Sequence, residues 1–438
     1  MAQFRTDKNI IDSGQVFTRY EVNMLSDRLT PSGTLTDAFG RLRISDPFTL
    51  FDSTHRFSDN GLWATSNTAG NSSYSFVENQ SMVTMTVGTT SNAEVIRETT
   101  KVFSYQPGKS LLIMNSFAMN TPKANVCQKV GYYGNDNGVY LENDGTTNYF
   151  VLRSNTSGTV TETRVAQSDW NNDKFDGTGY AAQIGGDEHG SGIDVGKTNI
   201  LWMDIEWLGV GDVRCGFVVD GRMILAHTFH NDNVNQQPYI TTASLPLRLE
   251  IKNTGVTASN STMKQICSTV ISEGGYSLTG TQQAIQTLVD TPIDLATAGT
   301  YYNLISLRLK TTPNRLDAIA IITAISLLGI TNNAVYNWQL RANGTTNGGT
   351  WTSAGDNSAV EYKIDGGTIT GGRVLASGFT TSTTQSSVPV DILKEALFKF
   401  QLERNGLTGT PYEITLCAAS QTAGADMYAS IDWEEVTR

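Results

Sequence analysis

An all-β fold is predicted by three features of the chain. Short runs alternate apolar and polar residues with period two, Asp-Gly and Gly-rich turn signals separate them, and 3.6-residue periodicity is scarce. The clearest run spans 201–233 and reads as three strands joined by two tight turns. In its first strand Trp202, Asp204 and Glu206 alternate with Met203, Ile205 and Trp207, so one face carries two carboxylates and the other is apolar. Leu208, Gly209, Val210, Gly211 and Asp212 turn the chain, and Asp220-Gly221 supplies the positive φ of a hairpin. A meander of this kind belongs to an antiparallel β-sandwich.

Size and charge narrow the class further. At 438 residues the chain exceeds what a single core accommodates, so two β-domains behind an extended N-terminal arm are expected. The formal net charge is -11, which argues against wrapping nucleic acid or docking on anionic membrane, because both need clustered Lys and Arg. The first residues hold no apolar run of signal-peptide type, and no stretch approaches a membrane span. A soluble product made in a cytoplasm is expected, with no membrane insertion and no cofactor.

In chain order, residues 1–50 read as the arm. Their apolar residues are thin, Thr30-Pro31-Ser32-Gly33 breaks any period, and 16–22 is suited to one short strand. Aromatics and arginines then interleave through 37–52. Phe17, Tyr20, Phe39, Arg41, Arg43 and Phe48 are the expected docking residues on a neighbour; the competing reading packs the segment on its own sandwich. Residues 51–280 carry dense strand patterns: 81–87, 93–103, 110–117, a hairpin over 138–153 with Asp144-Gly145 at its tip, the meander, and 245–253. Strands at this density imply two stacked antiparallel sheets, a concanavalin-like or jelly-roll sandwich. Gly274, Gly275 and Gly280 mark a linker, and 281–438 reads as a smaller β-sandwich domain. Its greasiest segment, 318–330, suits a buried strand; only 391–397, after Pro389, has helical character.

Chemistry-bearing residues are sparse. Asp204 and Glu206, at i and i+2, point the same way about 7 Å apart on a strand, near the spacing of a glycosidase carboxylate pair. The strand is similar to that of the concanavalin-like sandwich glycosidases, which carry Glu-x-Asp-x-(x)-Glu, but Trp202 stands in the first Glu position, so the nucleophile is missing. His227, His230 and Asp232 suggest a metal, yet strand positions i and i+3 face opposite sides, and no metal is expected unless the strand ends between them. Asp136, Asp173, Asp176, Asp187 and Glu188 sit in loops where calcium is an alternative to plain turn formation. Ser191 lacks the surroundings of a nucleophile elbow. Cys127, Cys215, Cys267 and Cys417 lie far apart in apolar runs and read as buried free thiols. Tyr132, Tyr133, Tyr149, Trp170, Tyr180 and Trp207 offer stacking faces for sugar, with core packing as the competing reading. Tyr132, Tyr133, Trp170, Asp204 and Glu206 are thus the candidate glycan contacts.

Residues 37–53, 170–179 and 204–211 resemble segments of virion structural proteins of tailed bacteriophages, notably marine and cyanobacterial ones, over roughly residues 30–255. The resemblance implies a non-enzymatic particle component, an appendage, fibre or decoration protein located in the virion. Its partners would be other virion proteins, sister subunits in a homo-oligomer with a trimer favoured, and a host-surface glycan. A receptor-binding lectin and a polysaccharide-degrading tailspike are the alternatives.

Overall fold

The computed structural model describes residues 9–12, 15–18, 46–186, 190, 192–277, 279–382 and 400–437; the first two stretches and Thr437 are described as backbone only. Within the first 47 residues, Asn9–Asp12 and Gln15–Thr18 form an antiparallel hairpin. Gln15–Thr18 covers the first half of the expected short strand. Tyr20, Phe39, Arg41 and Arg43 lie outside the described residues, as do the expected helical segment 391–397 and the loop residues Asp187, Glu188, His189 and Ser191.

A compact unit begins at Phe48, earlier than the expected boundary. The strand Phe48–Thr54 pairs with Ser261–Ser272, Leu50 and Phe51 are buried in the core, and the Phe48 ring packs 6.2 Å from Tyr276. Phe48 is therefore part of the sandwich, a correction to its placement among the arm residues: apolar alternation starts there and has a core to enter.

Two antiparallel sheets make the large sandwich. The first runs, edge to edge, Thr161–Ala166, Asn148–Ser154, Gly138–Asn143, Val126–Tyr133, Leu247–Asn253, Glu94–Thr99 and Trp63–Asn67. The second runs Arg222–Phe229, Val213–Val219, Asn199–Ile205, Leu111–Ala118, Ser261–Ser272, Met82–Val87 and Ser72–Val77, with Phe48–Thr54 also on Ser261–Ser272. Their facing residues interdigitate: Val130, Leu141, Phe150, Leu249 and Ile251 from one, Ile113, Leu201, Met203, Ile205, Phe217 and Met263 from the other. Fold class is thus all-β with a jelly-roll-like sandwich, as the alternation predicts. Helix is confined, among the described residues, to short segments such as Tyr180–Ile184.

Residues beyond 280 build a second sandwich. Thr281–Gln286 and Ile293–Leu295 pair with one side of Ala425–Thr437, and Ile319–Gly329 pairs with the other. A six-stranded sheet faces them, ordered Thr352–Ser353, Val360–Lys363, Tyr302–Leu309, Ile414–Ser420, Val335–Ala342 and Arg373–Thr381. The first residues of the greasy 318–330 run are buried on both faces, whereas its second half is buried on one face only, with Leu328 and Ile330 exposed. Ile319 and Ile321 enter the first core, while Ala320 and Ile322 enter the second. Arg404, 3% exposed, reinforces this junction by donating to the Thr99 carbonyl and pairing with Glu98 at 2.9 Å and Asp317 at 3.0 Å. Within the glycine-rich linker segment, 274–277 is held rather than loose: the Ser272 hydroxyl donates to the Gly275 carbonyl, and the Ser277 N–H to Gln106 at 3.0 Å.

Candidate functional site

The carboxylate strand comes first, because its alternation is as read. Leu201, Met203 and Ile205 face the core, and Trp202 and Asp204 lie on the outer face. The strand ends at Ile205, so the next two residues leave the alternation: Glu206 is exposed in the following turn, and Trp207 stacks edge-on against Tyr105. Trp202 lies flat over Gly216, where an added Cβ would sit 2.0 Å from the Ile224 carbonyl oxygen and 2.8 Å from the indole. Only glycine leaves room for that ring. Asp204 is 6% exposed and paired with Arg214, its cross-strand partner. Burial pushes its carboxyl above the ordinary range, with Arg214 pulling the other way. Arg214 occupies one oxygen of that carboxylate.

Three candidate stacking residues have no free ring face. Tyr132 is fully buried, and its hydroxyl donates toward the Phe103 and Ala243 carbonyls at 2.6 and 2.7 Å. Trp170 is 1% exposed, packs on Phe150 at 4.6 Å and donates to the Val165 carbonyl. Tyr133 lies on the outer face but stacks 4.5 Å from Tyr140 beneath Arg153 and Arg248. These three are corrected to packing roles: each large ring satisfies its polar tip or its face inside the protein, which a sequence window does not reveal. Around Tyr133, Glu98, Arg248, Glu250, Lys129, Glu142 and Arg164 pair in succession across the sheet, neutralising that surface.

The loop acids largely cap turns. Asp173 accepts the Phe175 and Ala181 N–H groups through its two oxygens, and Asp176 accepts from Thr178. Of the cysteines, Cys215 and Cys417 are buried, whereas Cys127 and Cys267 are half-buried; all four are free.

A cavity of about 260 Å³ opens at one edge of the large sandwich, where the outermost strands of the two sheets separate. Ser154, Thr156, Thr161 and Thr163 line one wall; Asn231, Asn235 and Gln237 line the other, with Leu152, Phe229, Pro238 and Tyr239 as apolar surface. The lining is hydroxyls, amides and apolar faces, with His230 the one titratable group besides Tyr239. Such a surface suits a neutral ligand rich in hydroxyls.

His230 also belongs to a cluster that sequence reasoning did not assemble. The strand Arg222–Phe229 ends before it, so it is free of the strand rule that separates it from His227. His227 is buried, accepts the Asn171 N–H through Nδ1 at 3.4 Å, and is pushed down to about 4 by burial and then by His230. Beyond the last register pair, Val213 with Phe229, the chains bring Asp212 to His230, with Nδ1 to Oδ2 at 2.7 Å. Asp232 completes the group: ligand-capable atoms of Asp212, His230 and Asp232 all lie within 4.8 Å of one another. The other Asp212 oxygen accepts the Asn231 N–H at 2.9 Å. Burial raises the Asp212 carboxyl, but that N–H and His230 outweigh it and hold it below the usual carboxylate range.

No protein-family model and no curated protein matches the chain. Among solved structures, β-glucanase of Bacillus licheniformis is similar at 12% identity over 50% of this chain and 96% of its own, with a TM-score of 0.32. Arcelin-5, a lectin-like defense protein of Phaseolus vulgaris, gives 9% identity, 52% and 100% coverage and a TM-score of 0.32. A carbohydrate esterase of the Shiga toxin-encoding bacteriophage phi24B gives 12%, 52%, 99% and 0.30. Likeness this slight carries no argument about site or activity.

Proposed function

We propose that this chain is a non-enzymatic structural component of a tailed-phage particle, one that projects its β-sandwiches outward and contacts saccharide through the sandwich-edge cavity. The observation that carries the reading is the state of the acid strand: Asp204 is clamped by Arg214, Glu206 has left the strand, and Trp202 fills the place of a third acid. The wording of residues 37–53, 170–179 and 204–211 supports the particle role. The neutral hydroxyl-and-amide lining of the cavity supports saccharide as the contacted chemistry. Docking falls to the N-terminal segment through Phe17, Tyr20, Phe39, Arg41 and Arg43, with other virion proteins or sister subunits of a trimer as partners.

Two measurements test it. Deleting residues 1–45 is expected to abolish incorporation into particles while the purified remainder keeps its β-sheet circular dichroism; normal incorporation refutes docking. Glycan-array binding is expected to drop at least about tenfold in Asn235→Ala with Gln237→Ala, the loss of two to three amide hydrogen bonds, and to survive Glu206→Gln. Sugar release by the wild type that vanishes in Glu206→Gln would instead make the protein a depolymerase.

A further inference from the structure

We propose that Asp212, His230 and Asp232 bind one divalent transition-metal cation of the zinc class at the rim of the sandwich-edge cavity. The geometry is that of a ligand set: one imidazole nitrogen and two carboxylates whose donor atoms all fall within 4.8 Å. His230 Nδ1 and Asp212 Oδ2 already converge on each other through a 2.7 Å hydrogen bond, and a cation with ligand bonds of about 2.0–2.2 Å would take the place of the proton between them. Charge makes the same case independently. The Asp212 and Asp232 carboxylates stand together, and among the described residues neither forms an ion pair with Lys or Arg; the one cationic partner is His230, charged only when protonated. Two facing carboxylates repel unless a proton or a cation lies between them.

The frame behind the ligands is built. Asn231, 4% exposed, donates its backbone N–H to Asp212 and its side-chain amide to the Val210 carbonyl at 3.2 Å, and accepts from Asn235 at 2.8 Å. Such outer contacts hold a ligand carboxylate in place before the ion arrives. Mixed nitrogen and oxygen donors favour Zn²⁺ or a neighbouring transition ion over Mg²⁺ and Ca²⁺, which prefer all-oxygen sets. Three protein ligands leave a coordination position for water or a ligand hydroxyl. This inference does not rest on the saccharide reading.

The test is titration of the metal-stripped full-length chain with Zn²⁺ by calorimetry, with His230→Ala and Asp232→Asn alongside. The wild type is expected to bind one equivalent; each variant is expected to lose at least tenfold in affinity, and Mg²⁺ to give no comparable heat. His230 and Asp232 are exposed, so both variants are expected to show wild-type circular dichroism, and a Zn²⁺-induced rise in unfolding temperature confined to the wild type gives a second reading. A wild type that takes up no Zn²⁺, or a His230→Ala variant that binds it as tightly, overturns the proposal. His189→Ala serves as the control, and loss of binding there would assign the ion elsewhere and refute this site.

Discussion

His227 shows how burial turns one side chain into a pH sensor of stability. It is neutral in the fold, pushed from 6.5 to about 4 chiefly by burial, while the unfolded chain takes up a proton near the ordinary value. The unfolded state therefore binds more protons between those two pH values. His227 contributes stability that is complete above about 6.5 and is lost as pH falls toward about 4. His55, lowered by burial and then by Arg97, acts in the same direction. We expect the unfolding temperature to fall over pH 6.5–4.5 and the slope to shrink in His227→Gln, whose side chain does not titrate. Asp144, Glu162 and Asp176, held below the usual carboxylate range, act at lower pH. An unchanged slope in the variant would mean that His227 is solvated.

At the scale of elements, the hairpin of Val213–Val219 and Arg222–Phe229 decides the metal cluster. Its turn, Asp220-Gly221, is legible because both residues need positive φ, 49° and 71°. Its register is not. A bulge between Cys215 and Gly216 shifts the pairing by one residue, so Cys215 meets His227 where unbroken pairing would give Ala226. That slip brings Asp212 level with His230. The strand Ile319–Gly329 carries a second element-level consequence, since its first residues serve two cores. Ile321→Ala and Ile322→Ala each remove a buried side chain, and each is expected to cost about 2–4 kcal/mol in denaturant unfolding. A substantially smaller loss at Ile321 would mean that the strand is not packed on the first sandwich.

For the whole compact unit, 48–438, the shared strand and the buried ion cluster predict joint unfolding. Arg404 and Arg248 flank Glu98, which is 3% exposed; burial raises its carboxyl and the two guanidinium groups oppose that. Arg404→Ala leaves Glu98 and the Thr99 carbonyl short of a partner and is expected to destabilise by about 3–5 kcal/mol. Calorimetry is expected to give one transition for the wild type and two for this variant. Two well-separated transitions in the wild type would show that the sandwiches are independent.

Strand content, turn positions and the alternation of Leu201, Met203 and Ile205 could be read along the chain because they follow from local pattern: side chains alternate every second residue, and Asp-Gly tolerates positive φ wherever it stands. The apolar 318–330 run announced a buried strand for the same reason. Which aromatics were free could not be read this way. Trp170 and Tyr132 look like stacking platforms in a sequence window, and only the tertiary packing, with Phe150 from one sheet, Phe217 from the other and the Ala243 carbonyl from a connecting segment, claims them for the core. Asp204 likewise looked like half of a catalytic pair until the neighbouring strand placed Arg214 against it, and Asp212 joined His230 across 18 residues through a one-residue bulge. Local preference acts over a few residues, whereas burial, charge pairing and cluster assembly depend on which distant strands come to lie side by side.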